Sequence, residues 1–242
     1  MSDKNVIIDV DARPSDSPYV ESVWRSRSER DGEFLSVAAS NWEMVITEIE
    51  GNIQLTVRGP ETQSKPAYCP PAGEWLGVIF RLGTYMPHLP TVDLVDAEVN
   101  LERAGDRSFW LHGAAWEFPT YENVDTFIAK LVREGLLAHD PVVAAARKQH
   151  ASDLSLRSVQ RRFRHVTGLT QGQVSQIERA RLAVALLKRG DAILDVVELA
   201  GYADQPHLTR SLKRFTGQTP AQILSPELAK EMSYVSMLGL VE

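Results

Sequence analysis

Two stretches of this chain, offset by 49 residues, repeat one helix and one stop, so whatever fold the sequence adopts must contain that unit twice. Laid over one another, Val159, Phe163 and Val166 fall on Leu208, Leu212 and Phe215. Arg161, Thr167, Gly168 and Thr170 fall on Arg210, Thr216, Gly217 and Thr219. In both copies the apolar residues recur at helical spacing and define a core side. Arg157, Gln160, Arg161 and Arg164 are left on the free side of the first copy. His207, Arg210, Ser211 and Arg214, with Lys213 beside them, are left on that of the second.

The second copy belongs to a longer pattern, ILDVVELAGYADQPHLTRSLKRFTGQTP, from Ile193 to Pro220. Ile193, Val196, Val197 and Ala200 predict a helix that Gly201 ends. Asp204 caps the next helix and Gly217 stops it. The polar strip on that second helix is about as wide as a DNA major groove accepts, and its cations suit an anionic partner. Between the copies, TQGQVSQIERARLAVALLKRG opens with a Thr170/Gln173 capping pattern and ends at Gly190, which predicts a single linker helix. Roughly 19 residues at ~1.5 Å each span ~28 Å, near the ~34 Å between successive major grooves on one side of B-DNA.

Charge separates the chain in the same place. Residues 1–141 carry net −11, residues 142–225 net +7 and the remainder −2, although the whole chain is at −6. A basic module behind an acidic one is the footprint of a nucleic-acid-binding domain joined to a domain with another task. All five Trp (Trp24, Trp42, Trp75, Trp110, Trp116) lie in the first part. A single cysteine, Cys69, excludes an internal disulfide framework and a Cys-cluster zinc site. No run of 18 apolar residues occurs, and the expectation is a soluble cytoplasmic protein with no membrane partner.

The first part reads as strands. WEMVITEIE and NIQLTVRG meet at Gly51 like a hairpin, EWLGVIFRLG is another β-rich run, and Pro residues fall between such runs. Short strands with this punctuation suggest a sandwich or partly open barrel. ENVDTFIAKLVREGLL then predicts one amphipathic helix, about residues 122–135, packed on the β domain. Asp140-Pro141 caps and opens a further helix, placing a boundary near residue 140. The expected class is α+β: a β-rich domain over 1–140, an all-α domain over 141–226 with two helix-turn-helix units joined by the linker helix, and a tail over 227–242.

RARLAVALL followed by GYADQPHLTRSLKRFTGQTP resembles the DNA-binding domain of the AraC-type (AraC/XylS) transcriptional regulators, over about residues 142–224. The resemblance implies double-stranded DNA as partner. It places base-reading positions on Arg157, Gln160 and Arg161 in the first helix and on Gln205, His207 and Arg210 in the second. Arg suits guanine and Gln suits adenine. Arg164, Lys213 and Arg214 suit phosphate. Three departures stand out: Pro206 where the family often has a polar residue, and Ser152-Asp153 and Gln149 where it often has Gly and Ala. The last two predict a longer first turn or an altered approach to the groove.

In that family the preceding domain commonly senses a small molecule, often in a cupin-like barrel, and pairs protomers, and a helix at the position of residues 122–135 also forms dimer contacts, the alternative to its packing on the β domain alone. A small-molecule effector and a homodimer are therefore the further partners expected here. Trp24, Trp42, Trp75, Trp110, Trp116 and Tyr121 are the candidates to line a ligand pocket, against the plainer reading that aromatics of a β domain fill its core. His88, His112 and His139 stand apart in sequence with no H-x-H, so no metal and no cofactor are expected. No G-x-S-x-G, P-loop or dinucleotide fingerprint occurs, which points away from an enzyme. The alternative to a ligand-controlled regulator is a DNA-binding protein whose first domain serves only dimerisation or protein contact.

Overall fold

A computed structural model describes residues 8–147 and 154–225. Gln149, Ser152, Asp153 and the tail from residue 227 lie outside the described residues, so the expectations attached to them are not addressed by it. The strands are β1 (Ile8–Arg13), β2 (Val20–Ser28), β3 (Gly32–Ser36), β4 (Glu43–Ile49), β5 (Asn52–Arg58), β6 (Lys65–Cys69), β7 (Glu74–Phe80), β8 (Thr84–Tyr85), β9 (Glu98–Asn100), β10 (Arg103–Gly105), β11 (Ser108–Leu111), β12 (Ala114–Glu117) and β13 (Ala138–His139). A short 3-10 turn, Thr91–Leu94, precedes β9. The helices are α1 (Val124–Arg133), α2 (Pro141–Arg147), α3 (Leu156–Thr167), α4 (Gln171–Arg189), α5 (Ile193–Leu199), α6 (Gln205–Thr216) and α7 (Pro220–Leu224). Strands first and helices after make the chain α+β.

Two compact units result, and neither is a continuous piece of sequence. Among the described residues the first comprises 8–31, 41–60, 69–147 and 154–171; the second comprises 32–40, 61–68 and 172–225.

The first unit is built on a six-stranded antiparallel sheet in the order β1-β2-β7-β4-β5-β9. The hairpin β4–β5 turns at Glu50 and Gly51, both at positive φ (52° and 76°), as a tight two-residue hairpin turn requires. One face of the sheet, carrying Val23, Met44, Ile46, Leu55, Val57, Val78 and Phe80, forms the core. The other two layers of that core are α1, through Val124, Phe127, Ile128 and Leu131, and the β11–β12 hairpin, through Phe109, Leu111 and Trp116. The apolar stripe of α1 is therefore used against the sheet, as its spacing requires.

The aromatics expected to line a pocket do not converge. Trp42 stacks on Phe80 inside the core, with ring centroids 3.9 Å apart, and its Nε1 donates to the Thr84 carbonyl at 2.6 Å. Trp116 belongs to the same core, edge-on to Phe127 and under the Lys130 ammonium. Trp24 and Trp75 alternate with core-facing Val23 and Leu76, so they sit on the opposite face of the sheet. There the Trp24 indole fills the space over Gly77, where a Cβ would lie 2.0 Å from it. Trp110 points outward between Phe109 and Leu111 and is exposed, and Tyr121 lies beneath the guanidinium groups of Arg13 and Arg25. Cys69 is buried, and its thiol faces the Pro70 carbonyl at 3.7 Å.

Three histidines read as separate in sequence are not all separate in space. His88 follows β8 and His112 lies at the tip of the β11–β12 hairpin, and their rings stand 4.9 Å apart. Nε2 of His88 is buried without a hydrogen-bond partner among the described residues. Burial, and then the neighbouring His112, hold the His88 pKa below its ordinary value. Among the described residues no group of three or more His, Cys, Asp or Glu is placed to hold a metal ion.

Candidate nucleic-acid interface

The repeat seen in sequence is a repeat of atomic detail. Helix α3 starts at Ser155, whose Oγ accepts the Ser158 N–H at 3.2 Å, and α6 starts at Asp204, whose Oδ1 accepts the His207 N–H at 2.7 Å. Both helices end on a left-handed glycine, Gly168 at φ 75° and Gly217 at φ 76°. One residue before each stop, a threonine hydroxyl turns back on its own helix: Thr167 donates to the Phe163 carbonyl at 2.8 Å and Thr216 to the Leu212 carbonyl at 2.7 Å. The same hydroxyls accept the N–H of Leu169 and of Gln218. The chain leaves both helices along one path because both ends carry one set of hydrogen bonds.

Val159, Phe163 and Val166 of α3 are buried, as are Leu208, Leu212 and Phe215 of α6. That leaves Arg157, Gln160, Arg161 and Arg164 exposed on α3, and Gln205, Arg210, Lys213 and Arg214 exposed on α6. His207 is half-buried; its ring stands edge-on to Tyr202 at 5.1 Å, and its Nδ1 lies 3.5 Å from the Ala203 N–H. Tyr202 is buried, shares a hydrogen bond of 2.9 Å with Ser211 and lies under the Arg179 guanidinium. Burial raises the Tyr202 pKa, so its hydroxyl stays protonated. His207 and Ser211 are thus tied to the turn before α6, and Gln205 and Arg210 project more freely.

Ion pairing separates the cations of this region into two sets. Arg162 meets the buried carboxylate of Asp140, which itself accepts the Val142 N–H at 2.9 Å at the start of α2. Arg181 meets Glu178, Arg189 meets Asp191, and Arg179 donates to the Gly201 carbonyl. Among the described residues, Arg157, Arg161, Arg164, Arg210, Lys213 and Arg214 have no carboxylate within ion-pair distance. Leaving a cation without a counter-ion on an exposed helix face is cheap in water, and it keeps the charge available for phosphate or a base edge.

Sequence pattern did not separate Arg162 from its neighbours Arg161 and Arg164, because nothing local marks its distant partner. The third cap in this region was visible in principle. Thr219 and Gln222 form a full capping box at the start of α7, with Pro220 in its first turn, and T-x-x-Q is a readable signal. Helix α4 begins directly after Thr170 and runs 19 residues, the single linker helix expected.

A family profile described as a helix-turn-helix domain matches residues 150–225. The chain is similar to "HTH-type transcriptional regulator RipA" of Corynebacterium diphtheriae, with 34% identity over 76 residues, which is 31% of this chain and 23% of that protein. It thus spans about a quarter of the length of that relative. No solved structure matches the chain. Within the matched stretch α3 and α6 are two capped helices of one pattern, each ending in the same glycine stop, which is what the match to a helix-turn-helix domain implies.

Proposed function

We propose that this protein is a sequence-specific DNA-binding transcriptional regulator whose α3 and α6 each enter a major groove. The observation that supports it is the set of unpaired cations on equivalent faces of the two helices. In this reading Arg157, Gln160 and Arg161, with Gln205, His207 and Arg210, read base edges, while Arg164, Lys213 and Arg214 hold phosphates. The strand-rich part regulates the DNA-binding part by receiving a small molecule or a protein partner. A second reading, in which that part serves assembly alone, draws support from Trp42 and Trp116, both packed in the core rather than around a ligand space.

Selecting bound fragments from random DNA with the full chain tests the DNA-binding reading. Enrichment of a motif in two blocks is expected, and retention of DNA without sequence preference would overturn it. Repeating the selection with small-molecule extracts separates the two readings of the strand-rich part: a shift in affinity favours sensing, and indifference together with a concentration-dependent dimer favours assembly.

A further inference from the structure

Each of the two candidate reading helices rests, at its carboxy-terminal stop, on a segment of the strand-rich part of the chain, and the segment differs between the two. In the first unit, α3 packs on β8 and on the turn Thr91–Leu94. Gly168 is pressed against that turn so closely that a Cβ there would lie 2.6 Å from Val95 Cγ2 and 2.9 Å from the Thr91 carbonyl oxygen. The Arg162–Asp140 pair fixes the middle of the same helix.

In the second unit, the two-stranded sheet β3–β6 and the residues flanking it lie at the end of α6. The last carbonyls of a helix have no partner within it. Here the Ser64 N–H donates to the Arg214 carbonyl at 3.0 Å and the Ala38 N–H donates to the Phe215 carbonyl at 2.8 Å. A Cβ at Gly217 would lie 3.0 Å from Ser64 Oγ and 3.1 Å from Leu35 Cδ1. Ala39 and Glu61 pair backbone to backbone, Ser36 Oγ donates to Glu61, and Lys65 meets Glu61 at 2.6 Å, so the two segments form one braced support. A third tie runs from Ser40 Oγ to Glu178 of α4 at 2.6 Å.

We propose that these contacts are positioning devices, one for each reading helix: Thr91 and Val95 set α3, and Leu35, Ala38 and Ser64 set α6. The strand-rich part then addresses the two halves of the DNA site separately. This rests on the DNA-binding reading above. Its force lies in the lever. A helix of 12 residues is ~18 Å long, so a tilt of about 5° at the stop carries the first turn ~1.5 Å, enough to break a bidentate contact to a base. The grip is on backbone carbonyls and on the stop, away from Gln205 and Arg210, so it steers the helix without covering its DNA face.

The test uses the full chain and the DNA motif that it selects, scrambled in one block at a time. Leu35→Ala loosens the support of α6 and Val95→Ala that of α3; Leu35→Val replaces Leu35→Ala if the latter no longer melts cooperatively. Leu35→Ala is expected to lose on the order of tenfold in affinity through the block read by α6, and Val95→Ala through the other, with melting otherwise retained. A merely structural role predicts a fall in melting temperature with both blocks weakened alike, and that result overturns the proposal. Unchanged affinity on both blocks in folded variants overturns it too. Failure of the unaltered chain to select any motif overturns the DNA-binding reading first, and this inference with it.

Discussion

Gly168→Ala measures how tightly the stop of α3 is held. Two costs add at this position. Alanine in the left-handed region is strained by ~1–2 kcal/mol, and Gly168 has φ 75°. Its Cβ would also meet Val95 Cγ2 at 2.6 Å and the Thr91 carbonyl oxygen at 2.9 Å. A methyl forced against backbone in a packed site costs a further ~1–3 kcal/mol, for a total of ~2–5 kcal/mol. Gly135→Ala is the control within the same unit: φ is 70° there, but nothing lies within 4 Å of the added Cβ, so only the strain of ~1–2 kcal/mol applies. Urea unfolding followed by tryptophan fluorescence reports on this unit, since every Trp lies in it. Equal midpoint shifts for the two variants would show that the stop of α3 does not bear on the turn, and the support proposed for α3 would fail.

Asp204→Ala removes the acceptor of the His207 N–H and should cost ~0.5–2 kcal/mol, read as a lowered midpoint of helix loss by circular dichroism. Arg162→Ala should lower the melting temperature, because it leaves the buried Asp140 carboxylate without its cation, whereas Arg161→Ala and Arg164→Ala should not. His88 gives a pH dependence whose sign follows from its burial. The folded pKa of His88 lies below its ordinary 6.5, so the unfolded chain takes up the proton first and the melting temperature should fall as the pH drops through that value. Melting temperatures that rise on acidification through that range, or a dependence unaltered in His88→Gln, would refute this origin.

The elements that local chemistry specifies were legible in the sequence. The hairpin at Glu50-Gly51, the stripe of α1, the Asp140 and Asp204 caps and the stops at Gly168 and Gly217 each follow from residues within a few positions of one another. What depends on distant pieces meeting was not legible. The support of α6 works through the backbone N–H groups of Ala38 and Ser64, and every residue but proline has one, so side-chain pattern carries no trace of it. His88 and His112 are 24 positions apart and meet only because a hairpin tip folds over the loop after β8. Trp residues look alike in sequence whether they fill a core, as Trp42 does, or face outward, as Trp110 does.

The central claim is that α3 and α6 read two separate blocks of one DNA site, and a titration of Arg161→Ala and Arg210→Ala on DNA scrambled in one block at a time tests it most directly. Each substitution should cost ~1–3 kcal/mol and relax preference in one block only, a different block for each, because a lost bidentate contact removes information about one base pair. Lys213→Ala, run alongside, should weaken all sequences alike and flatten the salt dependence by about one unit, as the loss of a phosphate contact does. If Arg161→Ala and Arg210→Ala also weaken every sequence alike, both arginines clamp phosphate, and the assignment of α3 and α6 as the reading helices is contradicted.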